Sequence, residues 1–380
     1  MYPTSGSLTA LSGGSSFSAT TPTGTWVNTA VIWDQVGSIT ILPELADNDY
    51  LSAGDLQVKT PSGTVGRFYP DHFSLTSSIV TNSCGATFSY MGHPAIGLNY
   101  ELKAQNASGN TMVNYNANYG TLPISTYVAE NANSGNGTLL NSRFTSGAAL
   151  AVSAGSLQMT SNTAMFSRQA ITFAPEVPYS SLQLGLDITD SFDGRGLQGK
   201  NMNATTTGVC GGLSCTAVSL GAPLDIRYGR LRLDDAFGPE TFSLNVNFAT
   251  EYWTGNYFAV NANDSCTQVP RAAINYPAGP ISTDANRTVN LAGGATTGTY
   301  ISLNPTYIGF NAGIAGQQFT SPNGGTGKFI VGVNLTDLPW LRFDWNQDGD
   351  YSDLSLPNAT FEFGSYRGND RVIYWRERLQ

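Results

Sequence analysis

The stretch "DWNQDGDYSD" sets oxygen-bearing side chains at alternate positions: Asp344, Asn346, Asp348 and Asp350, with Gly349 sixth and Asp353 tenth. Hard cations such as calcium take six to eight oxygen ligands, and a DxNxDG loop supplies several from one tight turn. The match to an EF-hand loop is partial. Its twelfth position is Ser355 instead of a bidentate glutamate, and no helical pattern flanks it. The spacing therefore predicts a looser calcium loop of the kind found in extracellular β proteins, with Asp353 or Glu362 completing the shell. Magnesium prefers a stricter octahedron with several waters, and zinc prefers nitrogen or sulfur, neither of which lies nearby. A calcium ion here would be structural rather than catalytic. The competing reading is an Asx-rich turn with solvated carboxylates.

Four cysteines, Cys84, Cys210, Cys215 and Cys266, form an even set without a CxxC, and only two histidines, His72 and His93, could join them in a zinc site. Disulfides are the expected use. Cys210 and Cys215 flank "GGLS", flexible enough to bring their sulfurs together, which leaves Cys84 and Cys266 as a long-range pair; connectivity stays open at this point.

A catalytic centre is harder to assemble. Nucleophilic catalysis needs a base beside the nucleophile, and neither "YPDHF" nor "YMGHPA" lies in a GxSxG-type elbow. Paired-carboxylate hydrolysis has no preferred pair among twenty-seven acidic residues. No enzyme is expected. "EYWTGNYF" clusters Tyr252, Trp253 and Tyr257 around a Gly-Asn turn, as candidates for stacking on the apolar face of a sugar or for cross-strand packing.

These residues must be carried by strands. Period-two alternation runs through "VGSITILPEL", "AIGLNYELKAQ", "SLQLGLDIT", "RYGRLRLDD", "FSLNVNFATEYW" and "GKFIVGVNL", each bounded by Gly, Pro, Asn or Asp. No stretch shows helical periodicity with a matching cap. The expected fold is all-β: tandem antiparallel sandwiches, Ig-like or jelly-roll-like, with little helix. Composition divides the chain into a Ser/Thr/Gly-rich lead-in (1–23), a partial module ending a preceding sandwich (24–65), a sandwich (66–175), a polar excursion (176–224) and a C-terminal sandwich (225–380). "GSYRGNDRVIYWRE" reads as the hairpin closing the last sheet.

The 380 residues suffice for two or three cores. Apolar residues are 41% and charged residues only 12%, so Asn, Thr, Ser and Gly must keep the surface wet. A net charge of -9, with four lysines and no basic run, argues against nucleic acid or anionic lipid as a partner. The low-charge composition and paired cysteines suit an oxidising, extracytoplasmic setting. "YPTSGSLTALSGGSS" lacks the basic start and apolar core of a signal peptide, so an exported chain would have lost its leader or begun at an internal cut. No apolar run approaches the ~20 residues of a membrane-spanning helix.

Five segments together carry a resemblance: "VGRFYPDHF", "CGATFSYMGHPAIGLNYELKAQNASGNTMVNY", "RYGRLRLDDAFGPE", "EYWTGNYFAVNANDSCT" and "LPWLRFDWNQDGDYSD...ATFEFGSYRGNDRVIYWRE". They resemble, in order, the C-terminal region of MshQ-like proteins of the mannose-sensitive haemagglutinin type IV pilus system. The resemblance implies an exported bacterial β protein of the Gram-negative cell surface or pilus, structural or adhesive, whose partners are pilus subunits, other surface proteins or glycans. It carries no catalytic residues. Two further readings are a secreted carbohydrate-binding or glycan-processing protein and a periplasmic pilus assembly factor.

Overall fold

Alternation becomes strand wherever one face finds a core to cover. Along Leu244–Trp253, Leu244, Val246 and Phe248 turn inward while Asn245 and Asn247 stay exposed. That is the two-residue period of a half-buried strand. The computed structural model describes residues 11–14, 18–20, 25–42, 49, 52, 61–85, 87–117, 123–169, 173–190, 192–211, 214–280, 284–300, 306–351 and 356–364. Among them are twenty-six strands and one α-helix, the four-residue Gly137–Leu140. The fold is all-β. The terminal hairpin expected after Gly364 and the candidate ligand Asp353 lie outside the described residues.

The chain forms two compact units, each gathered from three segments: Met1–Val80, Gly97–Ala164 and Gln183–Pro223 in one, and Thr81–Ile96, Met165–Leu182 and Leu224–Gln380 in the other. Residues 176–224 are more than a polar excursion, since they contain the strand Tyr179–Thr189 and the start of Val218–Arg227.

In the first unit one sheet runs in the order Ala151–Ser153, Ser156–Phe166, Ile96–Gln105, His72–Thr81. Strands Ile124–Asn131, Tyr179–Thr189 and Val218–Arg227 are neighbours in a second. Phe73, Leu98, Leu102, Tyr115, Leu157 and Leu186 are buried here, with Phe73 and Tyr115 in edge-to-face contact at 5.5 Å. Ser18–Thr20 pairs with Thr25–Val27, and Gly37–Ile39 with Val65–Phe68, both antiparallel. A disulfide joins Cys210 and Cys215.

The second unit is a sandwich. One sheet orders Gly229–Leu233, Leu244–Trp253, Ile314–Phe319, Gly294–Tyr300 and Thr288–Leu291, with Phe258–Val260 also paired to Leu244–Trp253. The other orders Ala236–Gly238, Asn358–Phe363, Gly327–Val333, Ile274–Tyr276 and Gly279–Pro280. Their inner faces share one core, in which Phe319 meets Phe329 at 4.9 Å and Phe361 at 5.1 Å. Facing aromatic rings of this kind contribute about 0.5–1.5 kcal/mol beyond the area they bury.

The same unit is locked from within. Cys84 and Cys266 form a disulfide 182 residues apart in sequence. Beside it Asp264, fully buried, accepts from the Tyr90 hydroxyl (2.8 Å), the Thr267 hydroxyl (2.7 Å) and the backbone N–H groups of Cys266 and Thr267. Asn261 Nδ2 donates to the Tyr90 oxygen at 2.9 Å. A buried carboxylate is tolerated only when donors satisfy it, and four do so here.

Two predictions follow from this lock. Closing a loop of that length stabilises by about 5 kcal/mol on the chain-entropy estimate, and the five-residue separation of Cys210 and Cys215 by about 2 kcal/mol. The Cys84→Ser/Cys266→Ser variant should therefore lose more melting temperature than Cys210→Ser/Cys215→Ser, measured by circular dichroism. Equal losses would contradict the assignment.

The second concerns alkaline pH. Burial first, then the Asp264 carboxylate, push the Tyr90 phenol well above its ordinary pKa, and burial also raises Tyr228. Both hydroxyls stay neutral in the folded chain, whereas in the unfolded chain they ionise from about pH 10. Stability present below that pH is lost above it, by about 1.4 kcal/mol per pH unit for each such group. Tyr90→Phe should cost about 1.5–3 kcal/mol at neutral pH, because Asp264 loses a donor. It should also fall less steeply than the parent between about pH 10 and 11 in urea melts. Parallel curves would show that Tyr90 does not set the slope.

Candidate functional site

The locked strand leads directly to a cleft. Ser89–Tyr90 pairs in parallel with Ile226 and Arg227, after which the chain turns through Met91 and Gly92. Gly92 has φ 85°, a left-handed conformation that a side chain would strain. Met91 and Gly92, with Met165, Ser167, Arg168, Phe173, Pro339, Trp340, Arg342 and Tyr351, line a cleft of about 340 Å³. The "LPWL" segment explains how Trp340 reaches it. Pro339 opens the 3-10 turn Pro339–Leu341, Leu341 is fully buried as its anchor, and Trp340 is left half-buried at the rim. His93 stacks on the indole at 4.1 Å with the planes 26° apart.

Arg168 builds the inner wall. Its guanidinium donates to the carbonyls of Gly229, Trp340 and Arg342 and to the Tyr228 hydroxyl, and lies over the Tyr228 ring at 4.0 Å. The residue is 7% exposed, and its Nε has no hydrogen-bond partner. Burial lowers the pKa of this guanidinium, with Tyr228 and Glu176 pulling it back up. Arg342 donates Nε to the Leu335 carbonyl and Nη2 to that of Thr336. Neither arginine forms an ion pair with a carboxylate among the described residues.

Tyr351 borders the cleft and also belongs to the acidic loop. Phe343 packs against Trp345 (5.3 Å), Tyr351 (5.5 Å) and Phe258 (5.1 Å), so aromatic contacts flank Asp344, Asp348 and Asp350 on both sides in sequence. Arg230 lies over Phe258 at 3.6 Å and pairs with the buried Glu251, which Arg232 also binds. Within the loop, Asp344 is buried and accepts the N–H groups of Asp348 (3.2 Å) and Gly349 (3.0 Å). Asp348 accepts the Asp350 N–H (2.8 Å) and the Asn346 Nδ2 (2.7 Å). The Asp350–Asp348 bond, from the N–H two residues on, is that of an Asx turn. The donor set is all oxygen, as calcium requires, and each carboxylate oxygen keeps a second lone pair. The carboxylates of Asp344, Asp348 and Asp350 do not all lie within 4.8 Å of one another. Among the described residues only Cys84, Asp264 and Cys266 do, and both sulfurs of that group are in the disulfide.

The aromatic triplet singled out in the sequence is dispersed. Tyr252 and Trp253 are adjacent in one strand and so point to opposite faces. Tyr252 has the Arg227 guanidinium at 4.7 Å, Trp253 packs on Phe258 at 5.0 Å, and Tyr257 stands 64% exposed beyond the strand end. The histidines are engaged: His72 contacts Asp71 and Gln105 through its two ring nitrogens, and His93 Nδ1 meets Ser83 Oγ at 3.2 Å. Burial holds His93 below its ordinary pKa, Asp264 acting in the other direction. Sequence reasoning missed Arg168, Trp340, Arg342 and Tyr351 as a group. The signal was "LPWLRFDW", where a tryptophan and an arginine follow a turn-forming proline next to the acidic loop. A larger groove of about 520 Å³ at Pro277, Val289, Asn290, Lys328, Phe329, Ile330 and Thr360 offers only Phe329 as a ring, itself 6% exposed.

No curated protein matches the sequence. Solved structures with some likeness include the D00-D0 domain of intimin, 11% identical, covering 77% of this chain and 98% of that one, with a TM-score of 0.23. The Escherichia coli adhesin FdeC is 11% identical over 86% of this chain and 79% of that one, at 0.29. A chimeric titin Z1Z2 is 8% identical over 78% and 97%, at 0.22. At such scores the likeness carries neither ligand nor partner to this chain. Residues 35–217 match the third domain of DUF6701 and residues 227–378 the fourth, which together take in most of the sequence, and the chain therefore belongs to the DUF6701 family.

Proposed function

We propose that this chain is an exported structural and adhesive protein of the Gram-negative cell surface or pilus, with a calcium ion rigidifying the loop of Asp344, Asn346, Asp348, Asp350 and Asp353. The observation that carries this reading is the cleft lined by Trp340, Tyr351, Phe173 and two arginines, set in a disulfide-locked sandwich. Concave, mostly apolar sites with a few polar groups are where proteins take ligands. Two disulfides suit an oxidising compartment. No described helix is long and apolar enough to cross a membrane.

Binding is favoured over catalysis. The described residues lining the cleft include no Asp or Glu, so two-carboxylate hydrolysis finds no pair among them. Ser83 and His93 are at nucleophile–base distance, but no described carboxylate hydrogen-bonds the ring to orient it. Partners would be pilus subunits, other surface proteins or glycans.

Calcium would act through Tyr351. Bound to Asp344 and Asp348, it would draw the loop's carboxylates together, with Asn346 turning its carbonyl oxygen inward, and would fix the ring that borders the cleft. A cation that binds only the folded chain stabilises it by about 2.7 kcal/mol at a hundredfold excess over its dissociation constant. Melting should therefore rise with calcium and fall with chelator for this chain, and respond to neither in Asp348→Ala. An unchanged melting temperature on chelation, with no calcium heat at millimolar concentrations, would refute the ion. Immunogold labelling of intact piliated cells should decorate the surface or pilus, and label confined to the periplasm would refute display.

A further inference from the structure

Two guanidiniums line one cleft of a protein whose acidic residues outnumber its basic ones, 27 to 18, and neither is paired with a carboxylate among the described residues. The nearby acid that influences Arg168, Glu176, accepts from the Tyr179 hydroxyl and the Gln169 N–H. Arg168 is 7% exposed and its remaining partners are three neutral carbonyls and a phenol, with Nε unpartnered. A buried cation without a counter-ion is costly, and an anion brought by a ligand removes that cost. Beside this charge stand flat rings. One face of Trp340 is occupied by His93, and Tyr351 and Phe173 line the same cleft with Met91 and Met165.

Resting on the surface-adhesion reading, we propose that this cleft binds an acidic sugar, its carboxylate on Arg342 with the Arg168 charge behind it and its apolar ring face on Trp340 or Tyr351. Aromatic rings pair with the C–H face of a pyranose, and guanidinium binds carboxylate. Arg342, which gives Nε and Nη2 to the Leu335 and Thr336 carbonyls, has Nη1 for it, whereas the terminal nitrogens of Arg168 are committed and it contributes charge alone. The volume of about 340 Å³ is at the small end of ligand sites, which suits a terminal sugar residue better than a peptide. A peptide laid along a sheet edge would need a row of free backbone groups instead.

The test uses the full chain in calcium-containing buffer, titrated by calorimetry and tryptophan fluorescence with a glucuronate disaccharide and with sialyllactose. Their neutral counterparts and an acidic peptide are run in parallel. At least one acidic sugar should bind about tenfold tighter than its neutral counterpart, with affinity falling as salt is raised. Arg342→Gln and Trp340→Ala should each lower that affinity about tenfold or more while the melting temperature stays within a few degrees of the parent. Equal binding of neutral and acidic sugars would overturn the role of the arginines. Binding of the acidic peptide alone would overturn the sugar, and no binding of either acidic sugar by the folded chain would overturn the proposal. Surface labelling of cells is independent of all three outcomes, so failure of the ligand and failure of the surface reading are told apart.

Discussion

The second unit depends on a carboxylate kept out of water. Asp264 is fully buried, and an unpaired carboxylate at that depth would be prohibitive, so every strand that meets it must bring a donor. Tyr90 comes from the short strand after Cys84, Thr267 and the backbone N–H groups from the turn that Cys266 closes, and Asn261 steadies the phenol. Arg227 extends the network by donating to Asn261 Oδ1 at 2.6 Å and pairing with Asp225. The disulfide and the hydrogen bonds thus fix the same two segments from two directions. The bond limits the unfolded chain, whereas the carboxylate specifies which folded arrangement is acceptable.

That constraint reaches the cleft along the backbone. Met91 donates to the Arg227 carbonyl and Gly92 to that of Phe166, so the turn after Tyr90 is tied on both sides before His93 presents its ring to Trp340. From the other side Arg168 ties the carbonyls of Trp340 and Arg342 to that of Gly229. A binding surface made of turns is rigid only to the extent that such bonds hold it, and rigid sites lose less entropy on binding. The acidic loop enters the same frame through Phe343 and Tyr351, which explains how an event among its carboxylates would be felt in the cleft.

The strands were legible because alternation is local: "LNVNF" names its inward face within five residues. Tyr252 and Trp253, grouped as one cluster from the sequence, part by the same rule, since neighbours in a strand cannot share a face. The alternate oxygens of "DWNQDGD" suit a tight turn as well as a cation. Asp344 turns its oxygens to the N–H groups of Asp348 and Gly349, and that is a matter of backbone path the spacing does not give. The cleft lay out of reach for a different reason. Its lining comes from three segments, around Met91, Arg168 and Trp340, each of which reads alone as an ordinary turn or strand end. Only a fold that brings them together turns two arginines and three rings into a site.

The charge pattern gives these observations a common cause. Fourteen of the eighteen basic residues are arginine. Where arginine is buried or half-buried here it acts as a multi-point donor: Arg168 ties three carbonyls, Arg227 binds Asp225, Asn261 and Asn263, and Arg230 and Arg232 share Glu251. A lysine at any of these positions would bring one compact, strongly hydrated charge to a place built for a flat fork. A β protein with few charges and no long helix among its described residues has few other ways to cross-link turns to strands. In the cleft, where carbonyls and a phenol take up the terminal nitrogens of Arg168 and no described carboxylate forms an ion pair with it, the same residue type places a positive charge in the wall.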